Sequence, residues 1–178
     1  MRDMLTAAGV DPAEVDARWQ DVSEAAAAAY EALCPPDLSD RVARGVAELL
    51  PALAARPDAF RLSLVTGNLE AIAHAKLARA GLGGYFERGQ GGFGSDHHAR
   101  AELPPIARRR ASRPPWARER TVVIGDTPRD IACARADEVR VVAVATGPFA
   151  IEALADADAV VDDARALLPV LEDLASAS

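Results

Sequence analysis

The run Val122-Val123-Ile124-Gly125-Asp126-Thr127-Pro128-Arg129-Asp130 joins a strand-like segment to a helix-like one and carries two acidic residues. Its apolar, β-branched start predicts a buried strand, and Gly125-Asp126 ends that strand abruptly. Carboxylates at the carboxyl end of a parallel strand lie where open α/β sheets bind ligands. Two of them, Asp126 and Asp130, suit a hard cation such as Mg2+. The competing interpretation is structural, with an N-cap aspartate and a first-turn acid that complements the helix dipole.

The composition limits the class of protein. With 178 residues, 50% of them hydrophobic, the chain can form a domain with a real core and is not disordered. A net charge of −7 argues against nucleic acid or an acidic membrane as the partner. Cys34 and Cys133 lack metal-binding spacing, and neither a signal peptide nor a membrane-length apolar run is evident. These features predict a cytoplasmic protein with reduced thiols, and they leave its oligomeric state open.

Helical periodicity in the first third gives way to alternating strands and helices. Asp11-Pro12 begins a predicted helix that runs to Leu33, and a second helix, interrupted by Gly45 and Pro51, covers residues 39–55. Further along, strands are predicted over 60–65, 121–124, 140–145 and 158–161, with a short extended piece in 86–94, and helices over 69–80, 101–112, 128–136 and 164–175. This order predicts an α/β fold with a parallel sheet flanked by helices.

Further polar residues follow the predicted strands. Thr66-Gly67-Asn68 leaves the first strand, so the hydroxyl group and nearby N–H groups at a helix start could hold a phosphoryl oxygen, although an ordinary Thr or Asn helix cap is by itself the commoner explanation. Arg100 could supply a fixed positive charge to a phosphate. His97-His98 is better explained as a solvated loop than as a metal site, because no Cys or third His lies at ligand spacing. Arg108-Arg109-Arg110 is interpreted as a solvated helix face.

Taken in order, these motifs resemble the haloacid dehalogenase superfamily, and most closely its phosphoglycolate-phosphatase-type branch. The matching residues are Leu64-Val65-Thr66-Gly67-Asn68, then Arg100, then Ile124 to Asp130. The resemblance implies a Rossmann-like parallel sheet with a partial helical cap over residues 1–56 and an incomplete core over 57–178. It also implies that Thr66 and Arg100 are catalytic, that they bind phosphate with Gly67 and Asn68, and that Asp126 and Asp130 bind Mg2+.

One motif of that family has no counterpart in this sequence. The family's first strand ends in Asp-x-Asp-Gly-Thr, which supplies the nucleophile and the general acid, and that strand lies between those ending at Thr66 and Asp126. The expectation is therefore a central strand missing from the sheet, through truncation of the chain or through loss in its lineage. The two flanking strands must then pair directly or leave unpaired backbone groups, so the chain should be marginally stable.

The resemblance implies a Mg2+-dependent hydrolase of a small phosphorylated metabolite, inactive without that motif. Two alternatives stay open. One is a non-catalytic protein that binds phosphate, and the other is a dehalogenase that needs no metal, for which the Asp126/Asp130 pair would be idle. The sequence does not identify the substrate.

Overall fold

The computed structural model of the chain describes residues 2–176. Four helices and a 3-10 turn form its first third. They are α1 (Arg2–Ala7), α2 (Pro12–Ala17), α3 (Trp19–Leu33), the turn Ser39–Arg41 and α4 (Val46–Ala54).

Local capping explains where these helices begin. Asp11 accepts a hydrogen bond from the backbone N of Ala13 at 2.7 Å, which confirms the predicted start of α2. The single helix predicted from there to Leu33 is wrong, because Arg18 has non-helical backbone angles and separates α2 from α3. Neither Gly nor Pro marks this break, and the apolar stripe of the sequence passes across it without a change of period.

The helix predicted over residues 39–55 is interrupted at Gly45, as its sequence suggested. Gly45 has a φ of +85°, and a Cβ there would lie 2.5 Å from the backbone N of Arg165. Only glycine allows both this left-handed backbone and this close approach. The chain therefore turns at Gly45 and enters α4, which contains Pro51.

Strands and helices alternate from residue 65 onwards, which confirms the α/β fold. The elements are β1 (Val65–Thr66), α5 (Glu70–Arg79), β2 (Gly92–Phe93), α6 (Leu103–Ala111), β3 (Val122–Gly125), α7 (Pro128–Ala136), β4 (Arg140–Val144), β5 (Ala159–Val161) and α8 (Leu167–Ser176). Short 3-10 turns lie at Gly83–Tyr85, Arg100–Glu102, Ile151–Leu154 and Ala164–Ala166.

The strands form two separate parallel sheets. β1 pairs with β2, while β3, β4 and β5 form a three-stranded sheet in that order. Successive residues of β4 point to opposite faces of its sheet, as in any strand. Val142 and Val144 pack with α4 and α8, whereas Val141 and Ala143 pack with Ile131 of α7. Helices thus cover both faces, as the βαβ order requires.

An apolar slot of about 300 Å3 lies between the two sheets. Val65 of β1 and Val122 to Ile124 of β3 are among the residues that line it. Within residues 2–176, β1 and β3 do not pair with each other, so each has one edge without a strand partner. Ile124 is 42% exposed although it lies inside an apolar strand. The two flanking strands were expected either to pair directly or to leave unpaired edges, and the structure shows unpaired edges. The strand predicted over 60–65 is shorter than expected and consists of β1 alone.

The basic run on α6 is only in part the solvated face that its sequence suggested. Arg108 donates to both carboxylate oxygens of Asp137, at 2.7 and 2.8 Å, and Arg110 donates to both oxygens of Asp96, each at 2.7 Å. Of the three, Arg109 is the one that is exposed and forms no ion pair within residues 2–176. The prediction was wrong for Arg108, which is half-buried and whose acidic partner lies 29 positions away in the sequence, whereas Arg109 and Arg110 are exposed.

The predicted boundary between cap and core stays a prediction. Residues 1–56 include α4, and its residues Leu49 and Leu53 are buried against the β3–β4–β5 sheet. By contrast, α3 has no fully buried residue and contacts α5. Packing on the sheet therefore begins before residue 56.

Two expectations drawn from composition can be compared with the structure. Cys34 and Cys133 are both free thiols. No helix within residues 2–176 has the length and apolar character needed to span a bilayer.

Candidate functional site

The loops that follow β1 and β3 meet at Arg100, between the two sheets. Nη1 of Arg100 lies 3.6 Å from the position that a Cβ would take at Gly67. Nη2 of the same guanidinium donates to Oδ1 of Asp130 at 2.5 Å. The structure therefore brings together the residues after β1, Arg100 and the start of α7, as the sequence predicts.

Arg100 is suited to hold an anion. Its Nε is buried and has no hydrogen-bond partner among the described residues, although a buried N–H group without an acceptor is costly. The Arg100 side chain is about one-third exposed, so part of its guanidinium is open to a ligand. An arginine in this state binds phosphate well because its planar fork offers several charge-assisted hydrogen bonds.

Asp130 is buried and is fully engaged with protein donors. Its Oδ2 accepts from the backbone N of Asp126 (3.2 Å), the backbone N of Thr127 (3.1 Å) and the hydroxyl group of Thr127 (2.8 Å). Its Oδ1 accepts from Arg100. Asp130 thus ties the loop after β3 to Arg100, and whether it also binds Mg2+ stays a prediction.

The helix cap is not the one that the structural interpretation of the sequence named. Thr127, not Asp126, is the N-cap of α7, and Asp130 is the third helical residue of a capping box. Sequence reasoning missed Thr127, although the spacing Thr-x-x-acid was present in the sequence as a signal. Because Thr127 takes the cap position, the carboxylate of Asp126 is not needed there.

Asp126 is the carboxylate best placed for a cation. The structure records no hydrogen bond or ion pair to its side chain among the described residues, and it lies beside Gly147 at the carboxyl end of β4. A Cβ at Gly147 would come within 2.4 Å of Oδ2 of Asp126, so any larger residue there would clash with this carboxylate.

The donor set fits Mg2+ only in part. Within residues 2–176, no group of three or more His, Cys, Asp or Glu side chains could hold a metal ion. Mg2+, however, is commonly held by one or two carboxylates, with water and substrate phosphate completing its octahedral shell. Asp126 fits such a site directly, and Asp130 is the carboxylate next to it.

The side chain of Thr66 is connected through Asn68 to Lys76, a residue that sequence reasoning missed. Its Oγ1 accepts from the backbone N of Asn68 at 3.2 Å and from the side-chain Nδ2 of Asn68 at 3.0 Å. Oδ1 of Asn68 in turn accepts from Nζ of Lys76 at 3.2 Å. The only signal for Lys76 was its position two helical turns after Asn68 and its being the only lysine of the chain.

Neighbouring nucleophilic and metal-binding groups do not complete the site. Burial raises the pKa of the Cys133 thiol, whose Sγ lies 3.2 Å from the backbone O of Asp130, so this thiol stays protonated. The rings of His97 and His98 stack on each other with centroids 4.6 Å apart, in a partly exposed loop. That they form a solvated loop and not a metal site stays a prediction.

The geometry defines an α/β protein in which the loops after two parallel strands, β1 and β3, meet at a partly exposed arginine. A family model for the haloacid dehalogenase-like hydrolases matches residues 10–135, and a second model, for HAD-hydrolase-like proteins, matches residues 99–175. The first match covers more than half of the chain and includes Thr66, Arg100, Asp126 and Asp130. The chain therefore belongs to the haloacid dehalogenase-like hydrolase family. Comparison with curated protein sequences yields no match.

Proposed function

We propose that the residues around Arg100 bind the phosphoryl group of a small phosphomonoester together with Mg2+. The observation that carries this proposal is the Arg100 guanidinium. It bridges the loops after β1 and β3, and its Nε is buried with no hydrogen-bond acceptor in the described part of the chain. A phosphoryl oxygen can accept hydrogen bonds from the exposed part of this guanidinium, whose fixed charge stabilises the anion.

Each loop contributes a different interaction with the phosphoryl group. The hydroxyl group of Thr66 donates to a phosphoryl oxygen, and the open backbone at Gly67 allows that oxygen to approach Arg100. Asn68 supports Thr66 through its amide. Asp126 holds Mg2+ with Asp130 beside it, and the bound ion would neutralise charge on the phosphate oxygens.

Turnover requires a carboxylate nucleophile that these residues do not supply. The free carboxylate of Asp126 is assigned to the cation, and Asp130 accepts four hydrogen bonds from the protein. The slot between β1 and β3 extends to Asp130, so a strand inserted there would end beside Arg100. We propose that the 178-residue chain binds phosphate without hydrolysing it, and that a strand ending in Asp-x-Asp-Gly-Thr confers hydrolysis.

Binding of inorganic phosphate tests the proposal directly. Isothermal titration with and without Mg2+ should show Mg2+-dependent binding to the wild-type chain. Arg100→Met should weaken it about tenfold or more, because charge-assisted hydrogen bonds contribute about 1.5–3 kcal/mol. Arg109→Met is the matched control, since Arg109 is exposed on α6. Absence of Mg2+-dependent binding, or equal effects of the two variants, would contradict the proposal.

A second experiment separates the phosphatase from its alternatives. The chain is extended at its N-terminus by an apolar strand that ends in Asp-x-Asp-Gly-Thr, and hydrolysis of p-nitrophenyl phosphate is followed. Activity that depends on Mg2+ supports the phosphatase. Release of chloride from a 2-chloro acid without metal would instead support a dehalogenase. Phosphate binding with neither activity would support a non-catalytic binding protein.

A further inference from the structure

We infer that Lys76 is a positioning residue that forces the hydroxyl group of Thr66 to act as a hydrogen-bond donor towards the bound anion. This inference rests on the proposed function and deepens it, because it gives the reason why the Thr66 hydroxyl group meets a phosphoryl oxygen as a donor. The chain of contacts runs from Lys76 on α5 through the side chain of Asn68 to Thr66.

The first step concerns the orientation of the Asn68 amide. The ammonium group of lysine offers only donors, so the atom of Asn68 that faces Nζ of Lys76 at 3.2 Å must be the acceptor Oδ1. The amide NH2 group must then point the other way. It donates to Oγ1 of Thr66 at 3.0 Å. Lys76 therefore determines that Thr66 contacts the NH2 group of the Asn68 amide and not its oxygen.

The second step concerns the hydroxyl proton of Thr66. Oγ1 accepts two hydrogen bonds from Asn68, one from its backbone N and one from Nδ2. A hydroxyl group has two acceptor lone pairs and one donor. With both lone pairs occupied, Thr66 can offer a ligand only its proton. A phosphoryl oxygen accepts that proton, whereas a ligand group that needs an acceptor finds none.

The third step concerns what holds the Lys76 ammonium in place. Nζ lies 5.4 Å from the centroid of the Tyr30 ring on α3, within the range of a cation–π interaction. Lys76 is half-buried, and one turn further along α5 the Arg79 side chain donates to the backbone O of both Cys34 and Glu31. The C-terminal end of α3 is thus attached to the helix that carries Lys76, so its ammonium is restrained from both sides.

A double-mutant cycle on phosphate affinity tests the inference. Lys76→Met leaves the Asn68 amide free to rotate, and it should weaken Mg2+-dependent binding of inorganic phosphate by about three- to tenfold, as expected for one hydrogen bond. Lys76→Arg, which also offers only donors, should restore most of the affinity. In a Thr66→Val background, Lys76→Met should have little further effect, because the hydroxyl group through which Lys76 acts is gone.

Two results would overturn the inference. If Lys76→Met weakens binding equally in the Thr66 and Thr66→Val backgrounds, Lys76 acts through its charge and not through Thr66. If it leaves affinity unchanged while the wild-type chain binds phosphate, Lys76 has no role in the site.

The side-chain amide of Asn68 gives a readout that does not depend on phosphate. In nuclear magnetic resonance spectra of the ligand-free protein, its NH2 protons should exchange slowly with water, and Lys76→Met should speed up that exchange. A wild-type chain that binds no phosphate would refute the proposed function, whereas an amide signal unaffected by Lys76→Met would refute the positioning role itself.

Discussion

Replacing Asp130 by alanine should destabilise the protein by about 2.5–4 kcal/mol. The Asp130 side chain is only 9% exposed, and one carboxylate serves two purposes. It closes the capping box of α7 with Thr127, a cap that contributes about 1 kcal/mol. It also accepts the charge-assisted bond from Arg100, which contributes about 1.5–3 kcal/mol. The sum is a large share of the roughly 5–15 kcal/mol that stabilises a typical domain.

Urea unfolding followed by circular dichroism measures this loss of stability. Two single variants separate the contribution of the capping box from that of the ion pair. Thr127→Ala removes the hydroxyl group of the capping box and should cost about 1 kcal/mol. Arg100→Met removes the ion pair and leaves the cap. Because Arg100 and Asp130 are in contact, the Asp130→Ala/Arg100→Met double variant should be less destabilised than the sum of the single variants, by more than about 0.5 kcal/mol.

The reasoning is refuted if Asp130→Ala costs less than about 0.5 kcal/mol, which is the usual effect of a surface substitution. It is refuted in its second part if the Arg100 and Asp130 variants are additive. Additivity would mean that the guanidinium finds another acceptor when the carboxylate is removed.

Three further predictions concern other parts of the molecule. Gly147→Val should displace the carboxylate of Asp126 and weaken the Mg2+ dependence of phosphate binding in calorimetry; unchanged Mg2+ dependence would remove Asp126 from the cation site. Hydrogen bonds from the Arg165 side chain and backbone hold the pKa of Asp163 well below its usual range, so its stabilisation is complete above pH about 4 and is lost as the pH falls towards the folded-state pKa. Asp163→Asn should therefore flatten the acid side of the stability curve in urea titrations, and parallel curves would contradict this. Asp137→Ala leaves the Arg108 guanidinium without its carboxylate and should lower the free energy of unfolding by about 3–5 kcal/mol. Replacing both residues together, Asp137 by Leu and Arg108 by Met, should recover most of that loss in the same assay.

The sequence was most informative where local rules decide structure. The helix predicted over residues 128–136 has those bounds in the structure, because a proline at its first position and the apolar period are both local signals. The strand before it and the helix start at Asp11 were likewise predicted within a residue or two. Each of these features depends on residues only a few positions apart.

Sequence reasoning was less accurate where the partners are distant. Arg108 was interpreted as part of a solvated face, yet Asp137, 29 positions away, takes its guanidinium. The break at Arg18 carries no proline or glycine to signal it. In the site, the pairing of Arg100 with Asp130 spans 30 positions, and only strand-end placement and the family resemblance suggested that the two would be near each other.

The sequence by itself determined the alternation of strands and helices, the α/β class and the set of polar residues at the strand ends. These follow from hydrophobic period, capping and the rule that parallel strands end at one edge of a sheet. Only the tertiary structure decided that the Asp130 carboxylate accepts four hydrogen bonds while the Asp126 carboxylate accepts none from the described residues. It also decided that Lys76 contacts Asn68 and that β1 and β3 line a slot instead of pairing. The reason is physical, since these outcomes depend on how separate elements pack in space, and the backbone edges of two distant strands meet or stay apart only when the whole sheet forms.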